Sequence, residues 1–403
     1  MDTKPHNVVE VLDSISEQSF DTNADRYEAK EAAKRLLARL ETPFERSWAL
    51  SFETPVLIAG LQICQDLGIW STWAAKHDDN EDIQTLDGVI DMCNVPVQPN
   101  LLRRFLRHLA ATNVLEETGV DTWKLSPFAK AIGKDTTNIG LSVQCGLDHT
   151  IPCGVNLARF LAKHRYQEPL DKAKFDNYTD LFGSDFFDLC QRNPSVGGSF
   201  IGLMTALADH KMDWTEVYNT VGLVQGADLS SSGPALFVDI GGAHGLDTAR
   251  FLAKHPNLPA SAKLVVQDLP EVVSTHAKTA LSPRIERMAY DFFQPQPLLG
   301  ARTYFLHAVP HDWPDGECKR IFQKIKTAML KGYSKLLIYE VVLPDKGATS
   351  LMTTLDLQLM NLTSGFERTE RGWKKLLGEV GFGILQIFRH PGAVESVIEV
   401  EIL

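Results

Sequence analysis

The stretch from Leu236 to Asp268, LFVDIGGAHGLDTARFLAKHPNLPASAKLVVQD, constrains the fold more than any other. An apolar run (Leu236, Phe237, Val238) ends at Asp239 and meets a turn of small residues containing Gly241, Gly242, Ala243 and Gly245. An amphipathic segment follows, and a second apolar run (Leu264, Val265, Val266) ends on Asp268. Strand, glycine turn, helix, strand and acid is the layout of a nucleoside-binding βαβ unit. Glycine lets the backbone pass close to a ligand, and the acid can accept hydrogen bonds from two ribose hydroxyls. The turn does not read G-x-G-x-x-G, because nothing equivalent to a third glycine follows Gly245. No Gly-Lys-Ser/Thr closes it as a P-loop either. A ligand without phosphates is the natural alternative, and S-adenosylmethionine (SAM) is the common one.

The 403 residues suffice for two or three domains, each with a real core. From 236 onward strands alternate with helices, at 236–239, 264–267, 285–289, 302–306, 335–339, 383–389 and 395–402. That alternation predicts a doubly wound α/β domain over 221–403, with ligands at the carboxyl ends of its strands. Residues 141–220 are helical and aromatic-rich, and predict a connecting layer that roofs a pocket. Residues 1–140 predict a helical domain. Apolar residues recur at helical spacing from Tyr27 to Leu40, and Pro55–Ile69 is apolar on more than one face, as a core helix or a subunit contact is. LLRRFLRHLAATNVL has a clear 3–4 repeat, and EETGVDTWK at 116–124 looks like a hairpin wing. Helices followed by a wing form a winged-helix arrangement. Its sharp reading is DNA recognition through Arg103, Arg104 and Arg107; its bland reading is a dimerisation domain. A net charge of −11 favours the second and argues against a nucleic-acid partner.

No apolar run reaches the roughly 18–20 residues of a membrane span, and the N-terminus lacks a basic-then-apolar signal layout. The six cysteines (Cys64, Cys93, Cys145, Cys153, Cys190, Cys318) contain no C-x-x-C pair. They read as thiols in a reducing compartment, the cytoplasm by default, with neither a disulfide frame nor a metal site expected.

Chemistry-bearing residues cluster at the predicted strand ends. MAYDFF places Asp291 and Phe292 after the third strand, where an acid and a ring can hold an adenine; a helix cap and a core phenylalanine would look the same. The fourth strand leads into Pro310-His311-Asp312-Trp313-Pro314-Asp315. A histidine there can take a proton from a hydroxyl nucleophile. Glu340 ends the fifth strand and Glu367 precedes a helix, so either can fix the histidine tautomer.

The order VDIGGAHG, VVQDLP, MAYDFF, HDWPD, YEVVLPD, FERT resembles the class I SAM-dependent O-methyltransferases. It is most similar to the caffeate/flavonoid type in its fungal secondary-metabolism branch. The resemblance spans nearly the whole chain and implies a Rossmann-like SAM-binding domain with an all-α winged-helix dimerisation domain. It implies that Asp239, Gly241, Gly242 and Gly245 line the methionine moiety, and that Asp268 and Leu269 take the ribose and adenine. Asp291 and Phe292 would hold the adenine, with Trp313 and His307 also beside the cofactor. His311 matches the family's base, flanked by Glu340 and Glu367. Phe200, Met204, Thr205, Leu359 and Met360 fall where the acceptor pocket is expected. A homodimer and a small aromatic or polyketide-type hydroxyl substrate are implied as well.

Three features depart from the pattern. His307 stands where Arg or Lys is usual, Pro310 precedes the histidine, and Ala243-His244 occupies a place where a further glycine is common. A second class therefore stays open. Some members of this fold retain SAM without methyl transfer and act as pericyclases. They dehydrate a quinone methide precursor and steer Alder-ene or hetero-Diels–Alder closure. His149 sits about where such enzymes resemble one another, although it also reads as a satisfied helix-start residue. A third class, a silent DNA-binding regulator, fits the intact His/Glu/Glu set and the acidic charge least well.

Overall fold

A computed structural model describes residues 5–76, 83–169, 176–230, 232–276 and 281–403. The chain divides into two compact units: Met1–Asp148 with Gly198–Asp209, and His149–Gly197 with His210–Leu403. Residues 141–220 are shared between them.

In the first unit the helix Asn23–Leu40 begins four residues before the apolar repeat does, because the Thr22 hydroxyl caps it by accepting from the Asp25 amide. The apolar 55–69 stretch is two helices, Thr54–Asp66 and Ile69–Lys76, parted at Gly68, whose φ of +71° suits glycine. The helix Pro99–Ala111 buries Leu102, Leu106 and Leu109, the inward stripe of the 3–4 repeat, against a core that includes Trp70, Trp73 and Trp123. The hairpin expected at 116–124 is present as the antiparallel strands Leu115–Gly119 and Thr122–Leu125. Gln84–Thr85 adds a third strand beside it, so the unit is not all helical as expected. An open hairpin edge offers unpaired backbone groups, and the residues just before the helix Leu86–Ile90 take them up.

The second unit is built on a seven-stranded sheet. Its strands are β1 (Phe237–Ile240), β2 (Leu264–Asp268), β3 (Ile285–Ala289), β4 (Thr303–His307), β5 (Lys335–Glu340), β6 (Phe382–Phe388) and β7 (Ser396–Ile402). Their order is β6-β7-β5-β4-β1-β2-β3, all running the same way except β7, which is antiparallel to both of its neighbours, β5 and β6. All seven lie within one residue of the predicted bounds. Alternate residues feed two cores, as a sheet covered on both faces requires. Leu336 and Ile338 of β5 pack with Ile321, Phe322 and Trp373, whereas Leu337 and Tyr339 pack with Trp214, Phe251 and Phe305. The chain reverses direction of growth at β1 and β4. The crevice there, at the carboxyl ends, is where open α/β sheets hold ligands.

Candidate active site

The turn after β1 is shaped by its own carboxylates. Gly241, Ala243 and Gly245 have positive φ values of 74°, 45° and 85°. Asp268 at the end of β2 accepts from the Ala243 amide through Oδ2 (2.8 Å) and from the Leu269 amide through Oδ1 (2.8 Å). Each carboxylate oxygen has a second lone pair, so the acid that fixes the turn can still accept two hydroxyls. Asp239 is 1% exposed; its Oδ2 accepts from the Thr248 hydroxyl at 2.8 Å. Its Oδ1 is buried without a hydrogen-bond partner among the described residues. Burial, then the charge of Asp247, pushes its pKa above the usual carboxylate range. A Cβ on Gly242 would stand 2.5 Å from the Asp239 carboxyl carbon, so only glycine lets the turn lie over that acid. An unpartnered buried carboxylate oxygen under a bare backbone turn fits a cationic nucleoside such as SAM.

After β3, Asp291 bonds its own turn, accepting from the Phe293 amide at 2.9 Å and the Gln294 side chain at 3.3 Å. Phe292, Phe293 and Trp313 form an edge-to-face group, Trp313 lying 5.9 Å from Phe292 and 5.0 Å from Phe293 between ring centroids. Phe292 and Phe293 also pack against the hydrophobic core, so this strand end is compatible with either of the alternatives set out above.

His311 is the most closely built residue of the region. It lies in a single 3₁₀ turn, Pro310–Asp312, after β4. Its amide donates to Glu340 Oε1 (3.1 Å), and its carbonyl accepts from the Phe366 amide (2.9 Å). Its Nδ1 meets Glu367 Oε1 at 3.2 Å and Glu340 Oε2 at 3.6 Å. The second oxygen of each glutamate is buried without a hydrogen-bond partner among the described residues. Nε2 has no protein partner among the described residues, and the side chain is 17% exposed. Burial would lower the imidazole pKa, but the charges of Glu340, Asp312 and Glu367 outweigh it and push it up to about 10. Glu340 is raised by its own burial and then by Glu367, against the pull of His311. Donor atoms of the three side chains lie within 4.8 Å of one another, close enough for a metal ion.

His307, four residues earlier, has both nitrogens engaged. Nδ1 pairs with Asp247 Oδ2 at 2.6 Å and Nε2 with Glu395 Oε1 at 3.4 Å. Burial opposes the charge, yet Asp247 and Glu395 hold its pKa up to about 10. The pairing in turn overcomes the burial of Glu395 and holds that carboxyl at about 2. Lys211 reaches the same Glu395 oxygen at 2.6 Å.

A family model described as an O-methyltransferase domain matches residues 164–383. The O-methyltransferase ATR12 of Stachybotrys chlorohalonatus is 34% identical, the match covering 98% of each chain. The chain belongs to the O-methyltransferase family. It is similar over 98% of both chains to the structure of the LepI complex with SAM, at TM-score 0.85 and 26% identity. A structure described as a pericyclic reaction enzyme matches at TM-score 0.81 and 26% identity, with 98% of each chain covered. Membership makes the chain an enzyme of the SAM-dependent O-methyltransferase class.

The remaining expected site residues have the following surroundings. His307 presents no free nitrogen to a cofactor, since two carboxylates take both. His149 is fully buried, with Nδ1 2.7 Å from the Tyr178 hydroxyl, Nε2 3.3 Å from the Val196 carbonyl and its ring against Phe186. Both of its ring nitrogens thus have protein partners. Phe200, Met204 and Thr205 lie on the helix Pro194–His210, in its Gly198–Asp209 part, which is assigned to the first unit, and the Thr205 hydroxyl donates to the Ile201 carbonyl. Leu359 and Met360 lie on Ser350–Thr363 of the second unit, both partly buried. Sequence reasoning missed Asp247, Glu395 and Arg368. Asp247 follows the glycine turn by two residues and could have been noticed; Glu395 and Arg368 meet their partners only through the tertiary fold.

Proposed function

We propose that the protein transfers a methyl group from SAM to a hydroxyl of an aromatic or polyketide-type metabolite, with His311 as general base. The observation that carries this reading is the orientation of His311: Nδ1 is bound to Glu367 and faces Glu340, which leaves Nε2 for an acceptor. SAM supplies an electrophilic methyl, so the protein has only to align the acceptor and remove its proton. Asp239 and the Gly241–Gly245 turn would take the methionine end, Asp268 and Leu269 the ribose, and Asp291, Phe292 and Trp313 the adenine. The resting imidazolium must first lose the proton on Nε2. A cationic ligand bound nearby favours that loss, because like charge disfavours the protonated ring. Phe200, Met204, Leu359 and Met360 are assigned to the acceptor pocket by resemblance. The six cysteines form no disulfide among the described residues, which accords with a cytoplasmic enzyme. Arg103 and Arg107 both bond Asp121, which fits a dimerisation domain better than a phosphate-reading one.

The likeness to a pericyclic reaction enzyme supports a second reading, in which an imidazolium at His311 polarises a substrate and no methyl moves. The enclosure of His149 weighs against it. Mass spectrometry decides between them. A panel of phenolic and pyridone acceptors is incubated with methyl-deuterated SAM and with none. A labelled methyl on the product, with S-adenosylhomocysteine released, is the expected result. Isomerisation or loss of water with SAM unconsumed would select the pericyclase.

A further inference from the structure

We propose that Arg368 is the positioning residue of the His311 turn, its guanidinium fixing the backbone that presents the imidazole. Arg368 is 3% exposed; two of its nitrogens bond the loop that carries His311 and the third bonds Asp315, which begins the helix after it. Nη1 donates to the Pro310 carbonyl (2.9 Å), Nη2 to the Trp313 carbonyl (2.7 Å) and Nε to Asp315 Oδ1 (2.9 Å). The two carbonyls bracket His311 and Asp312, so one planar fork sets the span of the turn. Phe366 and Trp373 hold the guanidinium by their ring faces, at 4.3 and 5.4 Å from the centroids.

The turn needs such a clamp. Ala308 has φ +53°, a left-handed conformation unusual for a residue with a side chain. Val309 lies at φ −114°, ψ −55°, although a following proline disfavours that helical region. A backbone held in such conformations persists only where its surroundings over-determine it. The fixing is electrostatic as well as steric. Arg368 also lowers the proton affinity of the buried acid Glu340. Glu367, adjacent in sequence, bonds His311 Nδ1, so a single two-residue segment orients both the ring and its backbone.

The rate readout of this proposal rests on the methyl-transfer reading; its other two readouts do not. Arg368→Gln and Arg368→Lys are made in the full chain. Amide hydrogen exchange is followed at Asp312 and Trp313, and the His311 titration by histidine ¹⁵N NMR, with His311→Gln assigning the signal. Arg368→Gln is expected to speed exchange at both amides by at least about tenfold and to displace the His311 titration, because Glu340, the carboxylate acting most on His311, loses a neighbouring cation. With a methylated acceptor in hand, kcat falls about ten- to a hundredfold while SAM affinity stays within about twofold. Arg368→Lys restores the titration but not the amide protection, since an ammonium is a single point donor. Should Arg368→Gln fail to fold, Arg368→Lys carries the test through its exchange. Unchanged exchange in Arg368→Lys, or unchanged exchange and titration in Arg368→Gln, overturns the proposal. Faster exchange in an enzyme that releases no S-adenosylhomocysteine supports Arg368 and refutes the methyl-transfer reading alone.

Discussion

His307 and His311 are four residues apart, both are raised to about 10 by carboxylates, and they differ in what remains free. Asp247 and Glu395 take both nitrogens of His307, whereas His311 keeps Nε2. Carboxylates on both nitrogens of His307 favour its charged form. His307→Gln would leave two buried carboxylates short of a partner and cost about 3–5 kcal/mol, the usual scale for breaking a buried pair, as read from urea unfolding. The pH dependence has a definite sign. An unfolded histidine titrates near about 6.5. Stability contributed by these two rings is complete below that value and is lost as pH rises through about 10. Unfolding free energies at successive pH values between those limits should fall in the wild type and fall less steeply in His307→Gln. A parallel pair of curves would show that His307 is not charged in the fold.

The glycine turn after β1 carries the element-scale argument. Gly242→Ala places a Cβ 2.5 Å from the Asp239 carboxyl carbon, so the turn must lift away from the acid. SAM affinity measured by calorimetry should drop at least about tenfold, the scale of one lost charge-assisted contact, while the circular dichroism spectrum stays that of the wild type. Unaltered affinity would remove this turn from the cofactor site. Such turns and the strands around them were legible in the sequence because their signals are local. Apolar runs such as Leu264–Val265–Val266 end on acids, and glycines sit where φ is positive. The winged hairpin was legible for the same reason. Its third strand was not, since Gln84–Thr85 has no pattern of its own and is defined by pairing with Thr122–Trp123. His149 was ambiguous because its partner Tyr178 lies 29 residues away. Arg368 and Pro310 are 58 residues apart, and no periodicity records such a contact.

At the scale of the whole molecule, the first unit exposes large apolar side chains in a short stretch: Phe44 (71%), Trp48 (52%), Leu50 (67%) and Phe52 (57%). Contiguous apolar surface of this kind marks an interaction site. A homodimer through these N-terminal helices is the expected occupant. Light scattering at micromolar concentration should report twice the 44.8 kDa chain mass, and a monomer there would count against it. No helix among the described residues is long and apolar enough to cross a membrane. The central claim is the base. The measurement that tests it most directly is turnover of His311→Ala against wild type, with SAM saturating and the pH varied. Removal of a general base should cut kcat by at least about a hundredfold with SAM affinity unchanged. Wild-type kcat should climb as pH rises above neutrality, because only the deprotonated ring accepts a proton. A methyl-transferring enzyme whose rate is indifferent to His311, or whose kcat falls over that range, would contradict the account.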